Sequence, residues 1–158
     1  QVSARTVLLK DVDARGFVFY TNTESLKGVQ LAARPRAALL FTWLRLREQV
    51  QVRVEGQVEP VTAAEADAYF ASRPRDSQIG AWASDQSRPL RAREELEARI
   101  ARFSAQFAGA PVPRPAHWSG YRVLPELVEF WYGVQHRLHE RHLHRWHDGA
   151  WQHSLLYP

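Results

Sequence analysis

Residues 73–87 read Arg-Pro-Arg-Asp-Ser-Gln-Ile-Gly-Ala-Trp-Ala-Ser-Asp-Gln-Ser, a stretch crowded with groups able to grip a charged ligand. Arg73 and Arg75 offer guanidinium forks, Ser77, Ser84 and Ser87 offer hydroxyls, and Gln78 and Gln86 offer amides. Forks and hydroxyls gathered at a helix start suit a phosphate. Pro74 biases Arg73 towards an extended backbone, so a helix arriving from upstream should end near Ser72. Asp76 or Ser77 is then placed to cap a new short helix. An ordinary surface loop with ordinary caps is the competing reading, and composition weighs the two evenly.

A second cluster lies near the C-terminus. Arg137, His139 and Arg141 alternate at period two, which on a strand puts all three on one face. Such a face repels itself unless water or an anion lies against it. An exposed terminal hairpin is the plain alternative; beside the 73–87 stretch the balance moves to an anionic ligand. Histidines 136, 139, 142, 144, 147 and 153 match no standard metal-ligand spacing, and with no cysteine to complete a set no metal site is expected. No Gly-rich nucleotide motif, nucleophile elbow or carboxylate pair stands out.

The elements that must position these groups are legible in part. At 158 residues, 45% hydrophobic, the chain fits one domain over 1–158 with a real core. No apolar run reaches membrane-spanning length and no signal-peptide pattern opens the chain, so a cytoplasmic protein is the default, with no membrane partner. The formal charge of +4 is spread along the sequence, which argues against nucleic acid. Lysines are only Lys10 and Lys27 among 21 basic residues, which marks both for inspection. The chain opens on Gln1 and contains no methionine, and is read as lacking an upstream piece.

Strands are expected over residues 5–10 and 17–21 around a polar loop, then over 37–43 and 50–59. Two short strands are expected near 121–124 and 128–131, and a hairpin of 139–146 with 150–156 turning at Asp148-Gly149. Helices are expected from Ser25 to Ala33, from the Thr62-x-x-Glu65 capping box to Ser72, and from Leu90 to Phe107 with Pro89 in the first turn. Antiparallel strands with interspersed helices point to a β-barrel or sandwich of the α+β class.

Read together, several blocks resemble the pyridoxine/pyridoxamine 5′-phosphate oxidase family. They are Arg5-Thr6-Val7-Leu8-Leu9-Lys10, Phe19-Tyr20-Thr21-Asn22, Gln51-Val52-Arg53-Val54-Glu55-Gly56, the 73–87 stretch, Glu129-Phe130-Trp131 and Arg137-Leu138-His139-Glu140-Arg141. The resemblance covers nearly the whole chain in order. It implies an α+β antiparallel split barrel that binds FMN at the interface of a homodimer, with the family's N-terminal helix and first strand missing from this chain. It also implies oxidation of pyridoxamine or pyridoxine 5′-phosphate to pyridoxal 5′-phosphate by O2, with hydrogen peroxide, and ammonia from the amine, as by-products.

On this resemblance Arg5, Val7, Lys10, Tyr20, Thr21, Lys27, Gln51, Gln86, Ser87, Trp131 and Arg141 fall on FMN-contacting positions. Lys10, Tyr69, Arg73, Ser77, Arg137 and His139 fall on substrate-contacting positions, and Arg137 and His139 are the expected catalytic pair, with the 137–158 hairpin contributing to the substrate site. Leu26 departs from an arginine usual beside Lys27, and Gln49 competes with Gln51 for one flavin position. Tyr132, Val134 and Gln135 depart from the family near the substrate mouth. Those departures keep open a same-fold flavoenzyme acting on another amine or dihydroaromatic compound, or a non-catalytic binder of flavin or pyridoxal phosphate.

Overall fold

Valines and aromatic residues spaced two apart build most of the strands, and capped or core-anchored amphipathic segments build the helices. In the computed structural model, which describes residues 2–46 and 49–158, the strands are β1 (Asp11–Asp13), β2 (Gly16–Asn22), β3 (Arg36–Trp43), β4 (Val50–Pro60), β5 (Trp118–Tyr132), β6 (Glu140–His147) and β7 (Ala150–Leu156). The helices are α1 (Leu26–Ala33), α2 (Ala63–Ser72), α3 (Arg75–Ala83) and α4 (Arg93–Gln106), with a 3-10 turn at Gln135–Arg137. Hydrogen-bonded order in the sheet is β1-β2-β5-β4-β3, with β6 on β5 and β7 on β6. The β3–β4, β5–β6 and β6–β7 pairs are antiparallel. This is the α+β class with an antiparallel sheet that the sequence implied.

Several boundaries differ from expectation. Residues 5–10 form no strand: they are largely exposed and have no ladder, and an apolar run becomes a strand only where a partner supplies hydrogen bonds. The first strand is instead Asp11–Asp13, inside the expected loop, where Asp13 accepts from the backbone of Arg15 and Gly16 and so shapes the turn. The two short strands near 121 and 128 are one fifteen-residue strand that carries Pro125 within it. Pro74, not Asp76 or Ser77, is the residue before α3, and α3 has no side-chain cap. Pro89 and Leu90 lie outside α4, whose N-terminal flank Ala92 also caps nothing.

The chain divides into two compact units. Unit 1 comprises residues 2–11, Val18–Arg34 and Pro60–Tyr121; unit 2 comprises Val12–Phe17, Pro35–Glu59 and Arg122–Pro158. In unit 1, Phe70, Ile79, Ala83, Phe103, Val112 and Trp118 form the main core. The Thr62–Glu65 capping box starts α2, with both reciprocal hydrogen bonds made. At its other end the buried Gln78 amide donates to the carbonyls of Phe70 and Ala71. Arg75 donates to the carbonyls of Phe107 and Ala110, just past α4. The 73–87 stretch thus ties together the helix ends on both sides of it, which satisfies carbonyls a helix leaves free.

In unit 2, β4, β5 and β6 meet through one carboxylate. Glu129, 4% exposed, accepts from Arg53 at 2.5 Å and from Arg141 at 2.7 Å. Arg53 also pairs with Glu55. The hydrogen bond from Arg141, and then that from Arg53, holds the Glu129 carboxyl below its ordinary pKa. A carboxyl whose folded pKa is depressed adds stability above its unfolded pKa and loses it as pH falls through the folded value. Glu129→Gln should therefore be less stable than the parent at pH 7, and the difference should shrink on acidification below the ordinary glutamate pKa of 4.5; urea unfolding between pH 7 and pH 3 measures it.

Candidate functional site

Unit 1 holds a cavity of about 740 Å³, within the range of small-molecule sites. Each of its walls follows from local structure. The segment before β1 contributes Val7 and Lys10, the latter held by its backbone bond to Val18. From β2 come Tyr20 and Thr21, and from the first turn of α1 comes Lys27. The C-terminal end of α2 gives Tyr69 and Arg73, and α3 with the loop after it gives Ser77, Gly80 and Gln86. Nine residues singled out from sequence therefore meet here: Val7, Lys10, Tyr20, Thr21, Lys27, Tyr69, Arg73, Ser77 and Gln86.

The electrostatics of this cavity are one-sided. Lys27 is only 9% exposed, and its Nζ donates to Thr21 Oγ1 at 2.7 Å, Gln86 Oε1 at 2.8 Å and Ser25 Oγ at 3.2 Å. All three acceptors are neutral, and among the described residues no carboxylate pairs with the ammonium. Burial, and then the charge of Arg5, push the Lys27 pKa down. Arg73 shows the same condition more sharply. Its Nη1 is buried with no hydrogen-bond partner among the described residues, and burial pushes its pKa down as well. A buried donor left unsatisfied costs about 1–3 kcal/mol, which an anionic ligand would recover. Lys10 lies over the Tyr69 ring at 5.7 Å. A buried ammonium, a half-buried guanidinium and an exposed ammonium, none paired with a carboxylate among the described residues, fit a phosphate ester. Gly80 leaves open space before it, since a Cβ there would meet nothing within 4 Å.

Two of the sequence-derived positions in unit 1 do not line this cavity. The Arg5 guanidinium donates to Ser3 Oγ at 2.7 Å and to Gln30 Oε1 at 3.3 and 3.4 Å. Ser87 is exposed, with a left-handed backbone of φ 73°. Leu26, at the start of α1, is half exposed.

The remaining positions gather in unit 2. Gln51, Trp131 and Arg141 line a smaller cavity of about 250 Å³ together with Arg53 and Glu129. Gln51 occupies that wall, whereas the Gln49 carbonyl accepts from the Gly133 amide. The expected strand face of Arg137, His139 and Arg141 does not exist. Arg137 has φ 63° at the end of the 3-10 turn, and β6 begins only at Glu140, so Arg141 alone of the three is in a strand. The left-handed backbone at His136 and Arg137 breaks the alternation. His139 instead lays its ring against Trp131, with centroids 4.4 Å apart, and its Nδ1 accepts from the Val134 amide. That bond leaves Nε2 to carry the proton in the neutral ring.

Sequence reasoning missed Trp118, a cavity wall residue whose indole lies 4.7 Å beneath the Arg73 guanidinium. It also missed that Arg75 is occupied in holding carbonyls rather than free for a ligand. Neither fact has a local signal, because each depends on chain segments more than thirty residues apart.

Residues 1–107 match the family described as pyridoxamine 5′-phosphate oxidase, and residues 118–158 match the pyridoxine 5′-phosphate oxidase C-terminal dimerisation region. A pyridoxine/pyridoxamine 5′-phosphate oxidase of Myxococcus xanthus (strain DK1622) is 63% identical over 156 residues, covering 99% of this chain and 75% of its own length. One from Caulobacter vibrioides (strain NA1000 / CB15N) is 61% identical over 155 residues, covering 98% and 69%. Among solved structures, PhzG from Burkholderia lata 383, in complex with tetrahydrophenazine-1-carboxylic acid, superposes with a TM-score of 0.92 at 32% identity, covering 100% of this chain and 76% of its own. A pyridoxamine 5′-phosphate oxidase-related, FMN-binding protein from Nostoc punctiforme PCC 73102 shares the fold at a TM-score of 0.73 and 16% identity, covering 98% and 79%. This chain belongs to the pyridoxamine 5′-phosphate oxidase family of FMN-dependent oxidoreductases and has its FMN-binding split-barrel fold.

Proposed function

We propose that the protein oxidises pyridoxamine 5′-phosphate and pyridoxine 5′-phosphate to pyridoxal 5′-phosphate, with FMN as cofactor and dioxygen as the final acceptor. The observation that carries this reading is the unpartnered, buried Nη1 of Arg73 in a cavity that also holds Lys10, Tyr69 and Ser77. These four groups bind the substrate phosphate, so the ring they carry is fixed in place by contacts remote from the reacting carbon. Thr21, Lys27 and Gln86 form a second polar cluster, and Lys27 supplies the charge that holds the flavin phosphate. FMN, when bound, supplies the two-electron acceptor and passes the electrons to dioxygen, giving hydrogen peroxide.

Unit 2 carries its own set of these positions. Gln51, Trp131 and Arg141 are flavin-contacting, and Arg137 with His139 holds the substrate ring, His139 being oriented by Trp131 and the Val134 amide. The protein works as a homodimer with FMN at the interface, so the two sets of flavin contacts need not come from one protomer. The C-terminal match to a dimerisation region supports this assembly.

A second reading has one observation in its favour. The Burkholderia lata neighbour was solved in complex with tetrahydrophenazine-1-carboxylic acid, a dihydroaromatic type of compound rather than a B6 phosphate. The anaerobic absorption spectrum separates the two. Pyridoxamine 5′-phosphate should bleach the flavin band within seconds of mixing, whereas bleaching by a dihydroaromatic acid and not by the B6 phosphates would establish the second. A flavin band that no donor bleaches would mean a non-catalytic binder.

Two variants test the division of labour. Arg73→Leu should weaken substrate binding by roughly tenfold to a hundredfold, the loss of one charge-assisted hydrogen bond, with FMN content unchanged. Lys27→Met should weaken FMN binding by at least roughly tenfold, read by flavin fluorescence on dilution. The same Lys27 variant should leave the flavin-free protein no less stable, because it removes a buried cation that no carboxylate compensates. Lower stability of the flavin-free form would show the ammonium to be structural.

A further inference from the structure

Arg73 is held in an unusual way for a phosphate-binding arginine. Its described contacts are ring faces: Trp118 at 4.7 Å and Phe70 at 5.6 Å from the guanidinium carbon. Trp118 is itself fixed from several sides. Its indole is 6% exposed, stacks on Tyr20 with 5.4 Å between centroids at 5°, and meets Phe70 edge-on at 5.0 Å. Tyr20 in turn stacks on Tyr69 at 4.1 Å. Gly120 makes room for this stack, since a Cβ there would lie 2.7 Å from the Tyr20 ring. The stack therefore joins the ring below Arg73 to the ring below Lys10.

We propose that Trp118 is a positioning residue for phosphate recognition, acting through Arg73. This rests on the reading that Arg73 binds the substrate phosphate. A carboxylate partner would hold the guanidinium by its N–H edges and cancel its charge. An aromatic face attracts the cation through the ring quadrupole and leaves the in-plane N–H donors free. Trp118 thereby keeps Arg73 in place, charged and unpaired, for an incoming anion. Its contribution belongs to the phosphate and not to the pyridine ring.

The test uses the FMN-loaded protein and two probes, pyridoxal 5′-phosphate and phosphate-free pyridoxal, titrated spectroscopically. Trp118→Leu should weaken pyridoxal 5′-phosphate by roughly tenfold and pyridoxal by less than about twofold, with Trp118→Phe giving an intermediate loss. In an Arg73→Leu background, Trp118→Leu should cost nothing more, because the group it acts through is gone. Equal losses for both probes, no loss, or an additive loss in the Arg73→Leu background would overturn the role of Trp118 while leaving the phosphate assignment intact. Unchanged pyridoxal 5′-phosphate affinity in Arg73→Leu alone would overturn both. If Trp118→Leu does not yield folded, flavin-loaded protein, Trp118→Phe decides alone. A loss confined to the phosphorylated probe and absent without Arg73 supports the role, and any other pattern overturns it.

Discussion

An ammonium out of water and a guanidinium with one nitrogen out of water, neither paired with a carboxylate among the described residues, are unfavourable in any fold, and much of unit 1 is arranged so that it can bear them. Lys27 is offset by three neutral oxygens from β2, the residue capping α1 and the loop after α3, each dipole turned towards Nζ. Arg73 is offset by aromatic faces. Neither arrangement neutralises its cation, so both charges remain available to a ligand that carries its own negative charge. The core of Phe70, Ile79, Ala83, Phe103, Val112 and Trp118 supplies the apolar burial against which this cost is set.

Unit 2 treats its cations the opposite way. Arg53 and Arg141 converge on Glu129, and Arg141 also donates to the Tyr157 carbonyl. The contrast separates two uses of arginine within one chain. Paired arginines tie strands β4, β5 and β6 together, whereas Arg73, with no carboxylate partner among the described residues, keeps its charge open to an anion. Bound at Glu129 and at the Tyr157 carbonyl, the Arg141 guanidinium has fewer free N–H groups than that of Arg73.

What the sequence made legible was local. The Thr62–Glu65 capping box, the Asp148-Gly149 turn and the buried Val50 and Val54 of β4 all follow from residues within a few positions of one another, and all are present. Residues 5–10 have strand composition but no strand, because a ladder needs a partner that periodicity does not reveal. The alternation of Arg137, His139 and Arg141 failed for a related reason: two left-handed residues redirect the chain, and no glycine marks them. The site was legible only through resemblance of whole motifs. Composition had left a surface loop and an anion site evenly matched, and it could not have placed Trp118 beneath Arg73.

The helix at the centre of the site is weakly built by its own sequence. No side chain caps the start of α3, and Gly80 stands in its interior where an added Cβ would meet nothing within 4 Å. Its order comes from outside, through Ile79 and Ala83 in the core and through Gln78 and Arg75 on the ends of other helices. The wall that α3 gives to the cavity is therefore only as firm as the core and helix-end contacts that hold it, and a change at Ile79, Gln78 or Arg75 would be felt there.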